Sequence, residues 1–327
     1  MKAVYFNDFS GIESVTVRET SQPAKPTGSE VLIRVHAAGL NRADLMQAAG
    51  LYPPPSGYSP NIPGLEFAGE IVEKGDSVVN WNIGMRVCGI VAGEGQAELL
   101  LTDESTLILI PENLEFVEAA AIPEAFITAH DAVFTQGELK AGDWLLIHAI
   151  GSGVGLAALQ MANAIGVNVI GTSRTAHKLE QSENLGLKHA IHATEVNFAE
   201  RVIEMSNGKG ANVILDLVGA AYFSENLKSL ATSGRLILVG LTGGRKGEID
   251  LGLALQRKAK IIGTTLRART TAEKADATAL FVSSMLPQIA AGEITPNIDK
   301  SFAADEARHA YEYLASNKSF GKVILEF

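Results

Sequence analysis

The sequence predicts an α/β fold in two parts, a β-rich domain and a doubly wound parallel sheet. Three observations carry this. Residues 144–149 form an apolar strand run that passes through a Gly/Ser turn into a small-residue helical run, 154–165. After it, apolar strand runs alternate with helical stretches as far as about residue 264, the pattern of a parallel sheet wound on both faces. Before it, residues 1 to about 120 hold short alternating strands punctuated by glycine and proline at the spacing of a small barrel.

In chain order, 31–37 alternates as a strand, and 66–73 and 85–90 are shorter strands of the same kind. Residues 39–47 start a helix or loop. Gly50-Leu51-Tyr52-Pro53-Pro54-Pro55 is a stiff extended loop, because each proline fixes its own φ. Residues 119–133 are helical and lead into the central strand, which is apolar except at His148. Strands follow at 168–172, 211–216, 235–239 and 260–264, with a helix at 178–185. Helices are expected at 273–291 and 305–315, and a terminal strand at 322–327 that rejoins the first domain.

The central turn suits a pyrophosphate. It brings backbone N–H groups and the positive end of a helix to one point. Aligned on G-x-G-x-x-G, however, the glycine positions fall on Ile150, Ser152 and Gly155, so only the third is glycine. Ser152 is small and can itself donate a hydrogen bond to phosphate. By themselves these residues fit either a nucleotide-binding turn or a tight turn that binds nothing. Residues 144–173 also lack Asp, Glu, Lys and Arg, a length that could span a bilayer. Asn163, Asn168 and the interrupting glycines favour a βαβ core instead.

The 327 residues suggest two domains, and 46% hydrophobic with 20% charged residues is a globular composition. The net charge of −10 argues against nucleic acid or an anionic membrane as the main partner. One cysteine, Cys88, excludes an intrachain disulfide or a cysteine zinc cluster, and its strand-like setting predicts a buried thiol. No apolar signal segment precedes 2–6, so a soluble cytoplasmic protein is expected.

The second strand ends in Gly171-Thr172-Ser173-Arg174-Thr175-Ala176-His177-Lys178. NAD-specific sheets place an acid there for the ribose hydroxyls. Here a hydroxyl and two cations stand instead. The planar fork of arginine can bond two oxygens of a 2′-phosphate, so NADPH is expected over NADH. The remaining histidines, His36, His130, His148, His189 and His309, lack metal-ligand spacing, and His148 alone sits beside the fingerprint.

Many further motifs recur in order: Gly39-Leu40-Asn41-Arg42-Ala43-Asp44, the Tyr52 proline loop, Gly64-Leu65-Glu66-Phe67-Ala68-Gly69, and the run 120–125. They continue through His148-Ala149, Ser152-Gly153-Val154-Gly155, Leu215-Asp216, the run 240–244, Leu266-Arg267, Asn317-Lys318 and Gly321-Lys322. Together these resemble the zinc-less quinone oxidoreductases of the medium-chain dehydrogenase/reductase superfamily, nearly end to end. The tumour-suppressor-inducible and zeta-crystallin-like subgroup is the nearest in appearance. The resemblance implies a GroES-like catalytic domain, residues 1–119 and 265–327, split around a Rossmann NADPH-binding domain, residues 120–264. It implies NADPH in the cleft between them, and a homodimer. By motif, Ser152, Gly153 and Val154 would hold the pyrophosphate, and Ser173, Arg174 and Lys178 the 2′-phosphate. Thr128, Gly240, Leu241, Leu266 and Asn317 would line the nicotinamide half or nearby phosphates. Where the subgroup often carries a tyrosine at the adenine end, this chain has Ala193 beside His192.

In the zinc-dependent relatives the positions of Asn41 and Leu65 carry Cys and His ligands. Asparagine is a poor zinc ligand and leucine is none, so no catalytic zinc is expected. Glu66 is expected as a structural carboxylate. Hydride donation is the cofactor's chemistry, and the protein must orient the acceptor and stabilise the oxyanion. Quinones suit a metal-free site because their reduced product is aromatic. Tyr52 and Asn41 are the candidates for hydrogen bonds to the acceptor carbonyl. The competing readings are a 2-enoyl-thioester reductase, which shares fold, NADPH and a tyrosine in the matching loop, and an NADPH-binding structural or sensing protein. The uncharged run 261–266 predicts a sheet edge that pairs with a second copy.

Overall fold

The computed structural model describes residues 1–193 and 197–327. The chain divides into two compact units, residues 1–127 with 266–327, and residues 128–265. The border therefore lies eight residues later than the sequence motifs place it. Residues 120–127 are packed into the first unit: the Glu124 N–H donates to Glu66 Oε2 at 2.8 Å, and the Phe126 and Phe281 rings lie 6.2 Å apart.

In the first unit the elements run β1 (Lys2–Phe6), β2 (Val15–Glu19), β3 (Glu30–Leu40), α1 (Arg42–Ala48), β4 (Glu66–Lys74), β5 (Arg86–Ile90), β6 (Leu99–Asp103), β7 (Leu107–Leu109), α2 (Phe116–Ala119) and the start of α3 (Pro123–His130), whose residues from Thr128 onward belong to the second unit. The single helix expected over 119–133 is broken. Pro123 opens α3, as a residue with no N–H to spare does well at a helix start. The turns after α3, Asp131–Gln136, are wound as a π-helix.

In the second unit come β8 (Trp144–Ile147), α4 (Gly153–Ala164), β9 (Asn168–Ser173), α5 (Ala176–Glu183), β10 (His189–His192), α6 (Ala199–Met205), β11 (Ala211–Asp216), α7 (Phe223–Ser229), β12 (Leu230–Leu238), α8 (Leu251–Arg257) and β13 (Lys260–Gly263). All six strands are parallel, in the order β10-β9-β8-β11-β12-β13. The chain winds outward from β8 to one side, then returns to the other. The junction of β8 with β11 is thus the point where the winding reverses, the usual ligand position of such sheets.

The first unit is completed by α9 (Thr271–Ala290), β14 (Ile298–Ala303), α10 (Ala307–Ala315) and β15 (Lys322–Glu326). Its large sheet has the order β14-β15-β3-β4-β5-β7, with β6 also paired to β3. Strand β3 organises its packing. Val31, Ile33 and Val35 recur every second residue and share one buried face with Phe67, Ile71, Val87 and Leu100. Its far end, Leu40, joins a second cluster with Phe6, Tyr311, Val323 and Leu325. Cys88 is buried in β5, where burial pushes its thiol well above the usual range, so it stays protonated. Among the described residues no helix is long and apolar enough to cross a membrane.

Candidate functional site

Two places gather the residues singled out from the sequence. In the second unit all but Thr128 lie at or just after the carboxyl ends of neighbouring parallel strands. Ala149 turns the chain with φ +51°, and the Ser152 N–H returns to Ala149 O at 2.9 Å. Ser152 then caps α4, its Oγ accepting the Gly155 N–H at 3.1 Å. At the first helical positions, Gly153 and Val154 have no intrahelical acceptor for their N–H groups. The one glycine kept from the fingerprint is required sterically: a Cβ on Gly155 would sit 2.6 Å from Ile150 O. The turn therefore has the tight strand–helix approach that a pyrophosphate site needs, with Ser152 in place of a glycine.

At the tip of β9, Ser173 is nearly buried and its Oγ accepts the Thr175 N–H at 3.1 Å. Arg174 is exposed, and its carbonyl takes the His192 ring at 3.1 Å. Lys178 lies one turn into α5. No carboxylate occurs in residues 168–179. Ala193, at the position where the subgroup often carries a tyrosine, is buried. Gly240 and Leu241 follow β12. A Cβ on Gly240 would meet Leu217 O at 2.8 Å, and Leu241 is exposed. Thr128 lies on α3 and is half-buried.

The other four, Asn41, Tyr52, Leu266 and Asn317, belong to the first unit. Its candidate site is built by register. Strands β3 and β4 pair antiparallel with Ala37 opposite Ala68, which brings Glu66 opposite Gly39. A side chain on Gly39 would overlap the Glu66 carboxylate, so glycine is needed there. Strand β15 pairs with the other edge of β3, Val323 opposite Leu40, which sets Lys322 beside Asn41. The Lys322 ammonium then donates to Leu40 O at 2.9 Å, Asn41 Oδ1 at 2.7 Å and Glu66 Oε1 at 2.5 Å. Its three protons are all used.

Asn41 is consequently less free than the sequence suggests. Its Nδ2 donates to Glu66 Oε1 at 2.8 Å, and only a weak 3.4 Å contact to Gly39 O holds the other proton. That second N–H is the one an acceptor oxygen could take. Leu65, the other position that carries a metal ligand in zinc enzymes, is buried apolar core. Among the described residues no three His, Cys, Asp or Glu side chains come together to hold a metal.

Tyr52 is positioned through its backbone. The buried Arg267 guanidinium donates to Tyr52 O and Ala92 O, both at 2.8 Å, and to Gln47 Oε1 at 2.5 Å, with its Cζ 5.0 Å from the Tyr52 ring centre. The phenol itself has no hydrogen-bond partner among the described residues. Partial burial, and secondly the Glu124 charge, raise its pKa, so it remains an O–H donor at neutral pH. Asn317, with φ +59° just past α10, has its Oδ1 held by Arg42 Nη2 at 2.6 Å. Leu266 is buried next to Arg267.

Several members of this cluster had no role assigned from the sequence. Lys322, Arg267, Glu124 and Asp44 appeared there only inside motifs. Burial raises Asp44 to about 6, and raises Glu124 to about 8 with the Glu66 charge as the second cause. Their only sequence signal is a charged residue inside an otherwise apolar or glycine-rich run.

Comparison with known proteins adds to this geometry. A family model described as alcohol dehydrogenase GroES-like domain matches residues 27–133, and one described as zinc-binding dehydrogenase matches residues 153–283. A quinone oxidoreductase from Pseudomonas aeruginosa is 31% identical and covers 99% of each chain. The solved quinone oxidoreductase of Pseudomonas syringae pv. tomato is 28% identical with a TM-score of 0.90, over 100% of this chain and 99% of that one. A mycobacterial protein solved in complex with NADPH is 26% identical with a TM-score of 0.89, over 100% of both chains.

Proposed function

The chain belongs to the quinone oxidoreductase family of the medium-chain dehydrogenase/reductase superfamily, and from that premise we propose that it is an NADPH-dependent, metal-independent reductase of quinones. The observation that carries the cofactor choice is the tip of β9. Ser173 and Arg174 stand there with Lys178 following, in a stretch free of carboxylates. A carboxylate there would bond ribose hydroxyls and repel a 2′-phosphate, whereas a guanidinium bonds the phosphate.

The bound nicotinamide supplies the hydride. The chain's own residues bind and orient. The N–H groups of Gly153 and Val154, with the Ser152 hydroxyl, take the pyrophosphate at the positive end of α4. Ser173, Arg174 and Lys178 take the 2′-phosphate. Thr128, Gly240, Leu241, Leu266 and Asn317 are assigned to the nicotinamide side. The Tyr52 phenol donates to the acceptor oxygen as charge develops there, and the weakly held Asn41 N–H is the second donor. Metal independence is supported by the donor set. Lys322 already presents a fixed cation to Glu66 and Asn41, and Leu65 offers no ligand atom.

We also assign a homodimer through the β13 edge of the second sheet. That strand ends the sheet, Ile261 is 40% exposed, and nearby Leu251 and Leu255 are 66% and 80% exposed. An apolar unpaired edge of this kind is stabilised by pairing with a copy. Sedimentation should give twice the 34.6 kDa chain mass, and a purely monomeric species at micromolar concentration would remove this assignment.

The function is tested by following NADPH oxidation at 340 nm with 1,2-naphthoquinone, 1,4-benzoquinone and crotonyl-CoA, each with EDTA. Quinone-dependent oxidation that survives EDTA is expected. Turnover of the thioester alone would assign a 2-enoyl-thioester reductase instead. NADPH binding without turnover of any acceptor would make the protein a nucleotide binder.

A further inference from the structure

His148, Thr172, Asn226 and Asp216 are buried polar side chains that the proposed chemistry does not use. They form one unbroken line. His148 Nδ1 lies 2.8 Å from Thr172 Oγ1, and its Nε2 lies 2.6 Å from Asn226 Oδ1. Asn226 Nδ2 donates to Asp216 Oδ2 at 2.9 Å. Phe198 and Tyr222 close over the imidazole, their ring centres 4.8 and 4.9 Å from it.

The direction of every proton in this line is dictated from one end. Asp216 Oδ1 accepts the Val218 and Gly219 N–H groups at 2.7 and 2.9 Å. Burial raises this carboxyl only to about 6, so at neutral pH it is ionised and its Oδ2 is an acceptor as well. Asn226 must then turn its NH2 to Asp216 and its oxygen to His148. His148 must carry its proton on Nε2, and its bare Nδ1 must accept from the Thr172 hydroxyl. Burial holds the ring neutral, its pKa lowered to about 4.

The line also crosses the reversal point of the sheet. Thr172 immediately precedes Ser173 and Arg174 at the tip of β9. His148 is at the tip of β8, its N–H on Leu215 O at 3.1 Å, and Ile150 N–H reaches Thr172 O at 3.0 Å. Asp216 ends β11, and its carbonyl accepts the Val239 and Gly240 N–H groups at 2.9 and 3.2 Å. Matched hydrogen bonds therefore tie the tips of β9, β8, β11 and β12 to one another. We propose that Thr172, His148, Asn226 and Asp216 act as a single positioning unit that sets the 2′-phosphate tip of β9 and the Gly240 tip of β12 in register for one nucleotide. This rests on the nucleotide reading above, and His148 is its centre as a positioning residue.

Its test uses 15N-histidine-labelled protein and the probes NADPH and 2′,5′-ADP. In the wild type, the His148 resonances should show the Nε2–H tautomer. Asp216→Asn should reverse it. The new NH2 forces Asn226 to turn over, and the proton moves to Nδ1, where Thr172 accepts. Thr172→Val and Asn226→Ala should each weaken 2′,5′-ADP binding about tenfold, although Asn226 belongs to the far end of the line. The double variant should be no weaker than either single one, because one broken link already disconnects the unit. Wild-type protein that binds neither probe would overturn this proposal together with the nucleotide reading. Wild-type binding with additive losses in the double variant, or an Asp216→Asn protein that keeps the Nε2–H tautomer, would overturn the positioning unit alone.

Discussion

The two units bury their polar groups by opposite means. In the second, a line of hydrogen bonds carries no net charge until it reaches Asp216, and its order depends on where protons sit. In the first, ionisable side chains are packed together, and burial keeps Glu124 protonated at neutral pH. Glu66 meets Lys322 directly, while Glu124, Asp44 and Arg267 act on one another at longer range. A neutral line loses one hydrogen bond when it is cut. A buried ion pair that loses a partner leaves a naked charge, which costs far more. The second arrangement suits backbone loops that must meet a ligand at fixed points. The first sets a strong local field beside Tyr52 and Asn41.

The largest test of that contrast is Lys322→Met. It strands the Glu66 carboxylate in a dry site, and a loss of ~3–5 kcal/mol is expected in urea unfolding. The double variant Lys322→Met/Glu66→Gln should recover most of it. If the single variant is as stable as wild type, the charges are not held as described. Arg174→Ala comes next. Losing charge-assisted bonds to a phosphate should cut the NADPH-over-NADH preference in kcat/KM by about 10- to 100-fold, with little change in melting temperature. An unchanged preference would remove Arg174 from the 2′-phosphate site.

Tyr52→Phe keeps the ring and removes only the phenol proton. A fall in kcat/KM of about fivefold to tenfold is expected, the worth of one hydrogen bond in the transition state. Equal activity would return Tyr52 to a packing role. A further test concerns pH. Glu124 is raised to about 8 in the folded protein from an ordinary 4.5, so the folded state holds a proton there that the unfolded chain has released. The associated stability is complete below about 4.5 and declines as pH rises toward 8. Glu124→Gln should therefore raise the melting temperature at pH 9 and leave it nearly unchanged at pH 4.5. Parallel melting curves for the two proteins across that range would contradict the assignment.

The contrast also explains what the sequence discloses. Strands β8, β9 and β11 with helix α4 were legible because periodicity and turn residues act within a few positions. So were the turn at Ser152 and the cations after β9. The charge cluster was not legible. Lys322 and Asn41 meet only through the register of β15 on β3, between residues 281 positions apart. Strand β14 escaped for another reason. Its Asp299, Lys300 and Ser301 side chains are exposed, so no apolar alternation marks it. Residues 119–133 read as one helix because composition alone does not show that the chain restarts at Pro123.

Lys322 spends all three ammonium protons on oxygens inside the fold, and only 5% of its side chain is exposed. Such an amine is out of reach of acylating reagents while the surface lysines react. Its labelling would then mark the moments when β15 parts from β3, and the lysine would serve as a chemical clock for the opening of the first unit.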